Sequence, residues 1–464
     1  MIINPVIFKA YDIRGIYPSE INEETAGLIV QAYLQVLSAK TGKAIKDLKI
    51  VLASDNRLGS AKIIKTALAT FLEYGAEVTD IGLVSINDYY FAVGNYDFDA
   101  GIMATASHNP AEYSGFKMTI KNNGGVEFLS GVALYQEMVK MSFPIVAEKI
   151  AGRLLSKDVS EDHLNHIFSF VDLPKIKPFK IVVDSGNGMN GLMIPKIFDK
   201  LPCELIHMFT ELDGSFPNRA PNPLQPGADE KIKAKILSEQ ADLGIMFDVD
   251  GDRIFLLDEQ GNLIKGDLTL LLLAKPMLKK FPGSGIAYNL ICSHSVKDLV
   301  TQWGGRPLRS EVGYMNLARH IREEGGVMSG EVSGHYAFKD NFNADNAFIA
   351  LLLALQTISE DGRSLSQIIK DYQLYARGDE LNLRVEDIPA CLEKIRQHYQ
   401  KNILDEIDGI TVEFKDWSKT TSKAEWWFNI RPSNTEPLLR ITVEAANQEE
   451  LKKKQEEVLK VINE

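Results

Sequence analysis

Two short stretches of this chain carry side chains whose types and spacing suit phosphoryl chemistry. In Ala104-Thr105-Ala106-Ser107-His108-Asn109-Pro110, small residues lead to a serine followed at once by a helix-breaking polar tripeptide. A serine hydroxyl is a poor nucleophile, so a role for Ser107 as a phosphoryl carrier needs a positioned base, a nearby cation or a metal to stabilise the developing anion. His108 and Lys117 are close enough in sequence to serve. Because Ser-His-Asn-Pro is also good turn vocabulary, the rest of the chain has to decide. In the second stretch, Asp248, Asp250 and Asp252 alternate with small residues after an apolar run. Three carboxylates that converge in this way suit one magnesium ion, which prefers oxygen ligands and completes its shell with water or phosphate. Arg253 follows, with a planar fork that matches a phosphate. A calcium loop of the EF-hand kind is a decoy: Glu259 falls at its twelfth position, but the sixth is Arg253 instead of glycine.

Three further stretches supply binding groups. Glu331, Ser333 and His335 alternate between Gly330 and Gly334. On an extended segment they would share one face, as vicinal sugar hydroxyls require. Arg431-Pro432-Ser433-Asn434-Thr435 gathers a guanidinium, two hydroxyls, an amide and several backbone N–H groups within one turn, a set suited to an oxyanion. Near the N-terminus, Phe8-Lys9-Ala10-Tyr11-Asp12-Ile13-Arg14-Gly15 puts a basic residue on either side of Tyr11-Asp12 and reads as a strand leaving the core through a glycine turn.

Repeated elements must position these groups. The apolar run Ile50 to Ala53 turns polar at Ser54-Asp55-Asn56-Arg57 and is followed by a helical pattern through Ile63, Ala67 and Phe71. Lys180 to Asp184 and Gly285 to Asn289 start the same strand, polar switch and helix, which implies three related α/β domains. A second recurrence, Ala100-Gly101-Ile102-Met103, Leu243-Gly244-Ile245-Met246 and Gly326-Val327-Met328, leads respectively into Ser107, the Asp248 loop and the Glu331 loop. Loops at strand C-terminal ends are where α/β folds bind ligands, so the three loops are expected to line one central cleft. After about residue 370 the pattern becomes that of a smaller α+β domain. The expected domains are 1–155, 156–257, 258–372 and 373–464, with a hinge near Lys370 to Gly378.

A net charge of −12 argues against nucleic-acid or anionic-membrane partners, so an anionic substrate must find locally concentrated Arg and Lys. Cys203, Cys292 and Cys391 lack the spacing of a zinc site or a disulfide framework. The start of the chain lacks the pattern of a secretion signal, and the longest apolar run, Ala347 to Leu355, falls short of the roughly 20 residues that span a bilayer. A soluble cytoplasmic protein is expected, monomeric or homodimeric.

Taken together, Lys9 to Gly15, Thr105 to Pro110, Asp248 to Arg253, Gly330 to His335 and Arg431 to Thr435 resemble, in order and over essentially the full length, the α-D-phosphohexomutases, particularly the bacterial phosphomannomutase/phosphoglucomutase branch. The resemblance implies three α/β domains with mixed sheets and a C-terminal domain of the TATA-binding-protein-like type. It implies reversible transfer of a phosphoryl group between the 1- and 6-positions of a hexose phosphate, through phosphorylated Ser107 and a hexose 1,6-bisphosphate that also acts as activator. One magnesium ion would be held by Asp248, Asp250, Asp252 and a phosphoserine oxygen. Glu331 and Ser333 would bind sugar hydroxyls, with His335 beside them; Arg431, Ser433, Asn434 and Thr435 would hold the non-reacting phosphate. Tyr11, Arg14, His108, Lys117 and Arg253 would surround the phosphoryl group in transfer. Two departures leave the sugar open: Gly313-Tyr314-Met315 stands where the branch often has Gly-His-Ser, and Leu290-Ile291-Cys292 lacks a lysine that some members carry. Phosphoglucosamine mutases usually have Gly-Glu-Gln-Ser-Gly-His, and this chain has valine at the glutamine position. The readings from other classes are a sugar-phosphate phosphatase and a non-catalytic sugar-phosphate binding protein.

Overall fold

The computed structural model describes residues 3–122, 125–143, 151–415, 424–433 and 438–463. The chain divides into two compact units, residues 1–265 with 333–366, and residues 266–332 with 367–464.

The first unit holds two mixed sheets. In one, the parallel strands Lys49–Ser54, Glu77–Leu83, Ala100–Ala104 and Arg153–Ser156 are joined by the antiparallel strands Ile13–Ile16, Tyr113–Asn122 and Gly125–Leu129. In the other, Lys180–Asp184, Glu204–Met208 and Leu243–Phe247 run parallel and Ile254–Leu257 closes the edge antiparallel. Their central strands are apolar on both faces and fully buried, as strands covered by helices must be. Helix Glu23–Thr41 starts at a capping box between Asn22 and Thr25 and stops at Gly42, whose φ of 70° suits glycine. The apolar run at Ala347 is helix Ala347–Asp361, capped by the Asn346 side chain and buried through most of its length. That accounts for a hydrophobic stretch with no polar face.

The second unit contains the parallel strands Gly285–Asn289, Arg306–Ser310 and Gly326–Gly330 with helices Gly266–Lys280, His294–Gln302 and Tyr314–Glu324. Beyond them lies an antiparallel sheet of Ala376–Arg377, Leu381–Leu383, Ile403–Asp405, Ile410–Lys415, Ala424–Pro432 and Leu439–Ala445, with helices Ile388–His398 and Gln448–Asn463. Its core gathers Phe428, Ile430, Ile441 and Val443 from the two longest strands with Val458 from the last helix.

The repeat read from the sequence is present in the pairing. In each of three segments, the strand that precedes a polar loop lies parallel to the segment's first strand: Ile50 opposite Ala100, Ile181 opposite Leu243, and Ile286 opposite Met328. One local expectation fails. Asp12 precedes the first strand, which begins at Ile13 and runs through Gly15, so this is a strand entry rather than an exit through glycine. In the stretch expected to hinge, Leu374 N donates to Ser295 Oγ at 3.2 Å, Tyr375 Oη to Asp298 Oδ2 at 2.6 Å, and Arg377 pairs with Asp267 at 2.9 Å.

Candidate functional site

Ser107 is buried and follows the strand Ala100–Ala104 in the left-handed conformation, φ 52°. Such a conformation is uncommon for a residue with a side chain and persists only where surrounding bonds over-determine it. Here they do. Thr105 Oγ1 accepts from Ser107 N at 2.9 Å, Asn109 N donates to Ala106 O at 3.1 Å, and the Arg57 guanidinium donates to Ser107 O. Ser107 Oγ lies 3.1 Å from His108 Nδ1. Desolvation, then the positive charges of Arg253 and Arg14, hold the His108 imidazole well below its ordinary pKa and so neutral. Arg14 grips Asp12 with two parallel bonds of 2.8 and 2.6 Å and donates to Asn109 Oδ1 at 2.7 Å, which fastens the N-terminal strand to this loop.

The carboxylate loop lies between the strands Leu243–Phe247 and Ile254–Leu257. Asp248, Asp250 and Asp252 are buried, and one oxygen from each lies within 4.8 Å of the others. Gly251 turns the loop at φ 93°, a conformation that favours glycine, and a Cβ there would stand 2.2 Å from Asn190 Oδ1 and push that side chain aside. Asp248 Oδ1 accepts from Gly251 N and Arg253 N, both at 3.1 Å, while Asn87 Nδ2 donates to Gly251 O at 2.6 Å. Lys117, on the strand beside the Ser107 loop, donates to Asp250 Oδ2 at 2.9 Å and Asp252 Oδ2 at 2.6 Å. Thr105 Oγ1 reaches the same Asp250 oxygen at 3.4 Å. The serine loop and the carboxylate loop are therefore bonded to each other inside one unit.

A divalent cation fits the residues present. Asp248 Oδ2, Asp250 Oδ1 and Asp252 Oδ1 are buried and accept no hydrogen bond from any described residue. Burial, then repulsion from Asp250 and Asp252, drives the Asp248 carboxyl far above the usual carboxylate range. Asp252 moves the other way: burial opposes its charge, but Lys117 and His335 outweigh that and hold it well below. A cation among the three oxygens would relieve this strain in charge. Glu259, the decoy calcium ligand, is engaged elsewhere, accepting from Ser366 Oγ at 2.5 Å.

Arg253 and His335 complete the cluster. Arg253 Nε lies 3.2 Å from His335 Nε2 and 3.6 Å from Asp248 Oδ2, and His335 Nε2 is 3.4 Å from Asp252 Oδ1. Ser333 Oγ is 2.9 Å from His335 Nδ1. The expected alternation along an extended Glu331 to His335 segment is corrected: the strand ends at Gly330 and a turn through Gly334, φ 87°, follows. Ser333 and His335 meet through this turn and belong to the first unit, whereas Glu331 belongs to the second. There Glu331 is buried and Asn289 Nδ2 donates to its Oε2 at 3.1 Å.

Of the remaining expected residues, Tyr11 occupies the bend before the first strand and is half-buried. Arg431 is buried in the antiparallel sheet and pairs with Glu380 at 2.9 Å; Ser433 N donates to Leu438 O at 2.8 Å. Asn434 and Thr435 lie outside the described residues. Sequence reasoning missed Arg57, Asn87 and Asn190, which hold the two loops from behind. The polar end Ser54 to Arg57 of its strand was the one visible signal.

Family comparison agrees with this fold. The phosphoglucomutase/phosphomannomutase models match in sequence order: alpha/beta/alpha domain I over residues 5–135, domain II over 161–261, domain III over 265–375 and the C-terminal domain over 380–461. The chain belongs to the phosphoglucomutase/phosphomannomutase family and is an enzyme of the phosphohexomutase class. Among its relatives, a phosphomannomutase of Escherichia coli is 35% identical over 448 residues, 94% of each chain. The phosphohexose mutases of Xanthomonas campestris are 34% identical, again over 94% of each chain. A crystal structure of a phosphoglucomutase/phosphomannomutase family protein from Burkholderia thailandensis superposes with a TM-score of 0.87 at 28% identity, covering 100% of this chain and 98% of that one. Among the described residues, no helix is long and apolar enough to cross a membrane.

Proposed function

We propose that this enzyme interconverts the 1- and 6-phosphates of mannose, glucose or both, with Ser107 as the phosphoryl carrier and a hexose 1,6-bisphosphate as intermediate. The observation that carries the reading is the bonded cluster in which Thr105 of the buried serine loop and Lys117 share an oxygen of Asp250, with the carboxylates of Asp248 and Asp252 converging beside it. Asp248, Asp250 and Asp252 would hold a magnesium ion, which when bound supplies positive charge against the phosphoryl oxygens.

The chain's own residues do the rest. A free sugar hydroxyl attacks the phosphorus of phosphorylated Ser107; the new O–P bond forms as the Oγ–P bond breaks, and the electron pair of that bond stays on Oγ. The hydroxyl proton leaves to an acceptor in the site. His108, neutral and 3.1 Å from Oγ, suits that acceptor better than Lys117, an ammonium clasped between two carboxylates. Lys117, Arg14 and Arg253 spread the charge of the transferring group. After the bisphosphate turns round, its other phosphate returns to Ser107 by the reverse step. Glu331 and Ser333 are assigned to sugar hydroxyls, His335 and Tyr11 to the substrate's surroundings, and Arg431, Ser433, Asn434 and Thr435 to the phosphate that is not reacting.

A coupled assay with mannose 1-phosphate, glucose 1-phosphate and glucosamine 1-phosphate, in magnesium with a trace of glucose 1,6-bisphosphate, tests the proposal. Protein shown by mass spectrometry to carry phosphate, yet inactive on all three, would sink it. Ser107→Ala is expected to lower turnover by a factor on the order of 10³ or more while sugar-phosphate binding survives; loss of binding instead would make the serine structural.

A further inference from the structure

Behind the serine loop and behind the carboxylate loop stands a buried arginine paired with an aspartate at the end of a strand. In the second sheet, Arg219 pairs with Asp184 at 2.9 Å and donates to Phe247 O, the carbonyl just before Asp248. In the first sheet the same device is more elaborate. Asp55, next after the strand Lys49–Ser54, accepts from Ser60 Oγ at 2.6 Å and from Arg57 N at 3.0 Å, and faces Arg57 Nε at 3.2 Å. The Arg57 guanidinium then donates to three carbonyls of the serine loop, Ser107 O, Asn109 O at 2.7 Å and Pro110 O at 2.8 Å, and to Tyr113 O at 3.2 Å at the start of the next strand. The ring of Phe216 covers its face, with the centroid 5.1 Å away.

We propose that Arg57 is a positioning residue for the nucleophile: by holding carbonyls on and after Ser107 with one rigid fork, it keeps that residue left-handed and its Oγ beside His108. The proposal rests on the reading of Ser107 as the carrier. Arg57 has no contact with the transferring group in it and acts only through the backbone. A lysine cannot substitute, because a single ammonium lacks the five fixed N–H directions that reach separated carbonyls.

Arg57 also lines a cavity of about 560 Å³, together with Leu52, Asp55, Ile64, Leu68 and Leu83. Truncating Arg57 would join the vacated space to that cavity, which gives a small guanidinium compound a way in.

The test measures phosphate transfer from glucose 1,6-bisphosphate to Ser107, followed by mass spectrometry, and steady-state turnover, for Arg57→Lys and Arg57→Ala. Arg57→Lys keeps the charge opposite Asp55 and serves as the folded control if Arg57→Ala does not fold; both are scored per folded molecule. The expected result is a loss of about 100-fold in the transfer rate and in kcat with KM within about twofold, and recovery of about tenfold in Arg57→Ala on adding millimolar ethylguanidinium, since misplacing a reacting group by ~1 Å costs about that much. Folded Arg57→Lys that transfers at the parent rate would overturn the proposal, as would a loss confined to KM. If the unsubstituted chain takes no phosphate onto Ser107, the carrier reading itself fails, and the defect is then visible before any substitution is made.

Discussion

The two units hold their buried cations with different partners. In the first, the cations near Ser107 are each held: Lys117 by two aspartates, Arg253 beside His335, Arg14 by Asp12 and Asn109, Arg57 by the loop backbone, while Asp248, Asp250 and Asp252 each keep one oxygen that accepts no hydrogen bond from a described residue. In the second, the expected phosphate ligand Arg431 is held by a carboxylate, Glu380, which also receives Arg440 at 3.4 Å. A substrate phosphate at Arg431 would have to displace or share that partner. The contrast suits a division in which chemistry needs a preorganised site and recognition needs one that accepts and releases a ligand at every turnover.

Removing the cation from the first cluster should have the largest effect. Lys117→Met leaves Asp250 and Asp252 buried without their common ammonium. Breaking a buried pair from one side costs about 3 to 5 kcal/mol, and turnover should fall by a factor on the order of 10³, as when an oriented charge-stabilising donor is lost. Thermal unfolding and kcat at saturating magnesium measure the two losses. A variant that keeps parent turnover would show that the preorganised charge of the first unit is not used. Chelation by EDTA should abolish turnover reversibly, with activity restored by magnesium.

A smaller effect is expected at the other end of the comparison. With Glu380→Gln, Arg431 loses a charged competitor yet keeps a hydrogen-bond acceptor. KM for the sugar phosphate should drop about fivefold, the equivalent of ~1 kcal/mol for a partly exposed ion pair, with kcat nearly constant. A rise in KM would mean that Glu380 aims the fork instead of competing for it.

Much of this was legible in the sequence because it is local. The repeated strands announce themselves as apolar runs that turn polar at one end, and Ser107, Lys117 and the three aspartates lie on or beside such ends. What was illegible acts over long distances in sequence. Arg57 reaches carbonyls 50 to 56 positions away and Asn87 one 164 positions away, with backbone acceptors that any residue type supplies. Alternation misled at Glu331 to His335 because a glycine at positive φ turned a period of two into a bend. The notion of a hinge after residue 370 came from a change in pattern, which carries no information about the bonds Tyr375 and Arg377 make.

Those bonds belong to a buried polar layer in the second unit, where Glu444 gives the smallest and most specific prediction. Its Oε1 accepts from His294 N at 2.9 Å and Trp427 Nε1 at 2.7 Å, and the His294 and Trp427 rings stack with centroids 4.7 Å apart. Burial raises the carboxyl from its ordinary 4.5 to about 6, only partly offset by these donors and by Arg377. A carboxyl with a raised folded-state pKa favours the fold when protonated. That contribution is complete below pH 4.5 and is lost as pH rises through about 6, a change worth about 2 kcal/mol. Glu444→Gln retains an oxygen to accept both donors and cannot ionise. Its stability relative to the parent should therefore improve by about that amount between pH 4.5 and 7.5. Thermal midpoints of parent and variant across this range measure the difference. Parallel curves would show that the second unit does not hold Glu444 at a cost, whereas burial and like charge raise the Asp248 carboxyl of the first unit.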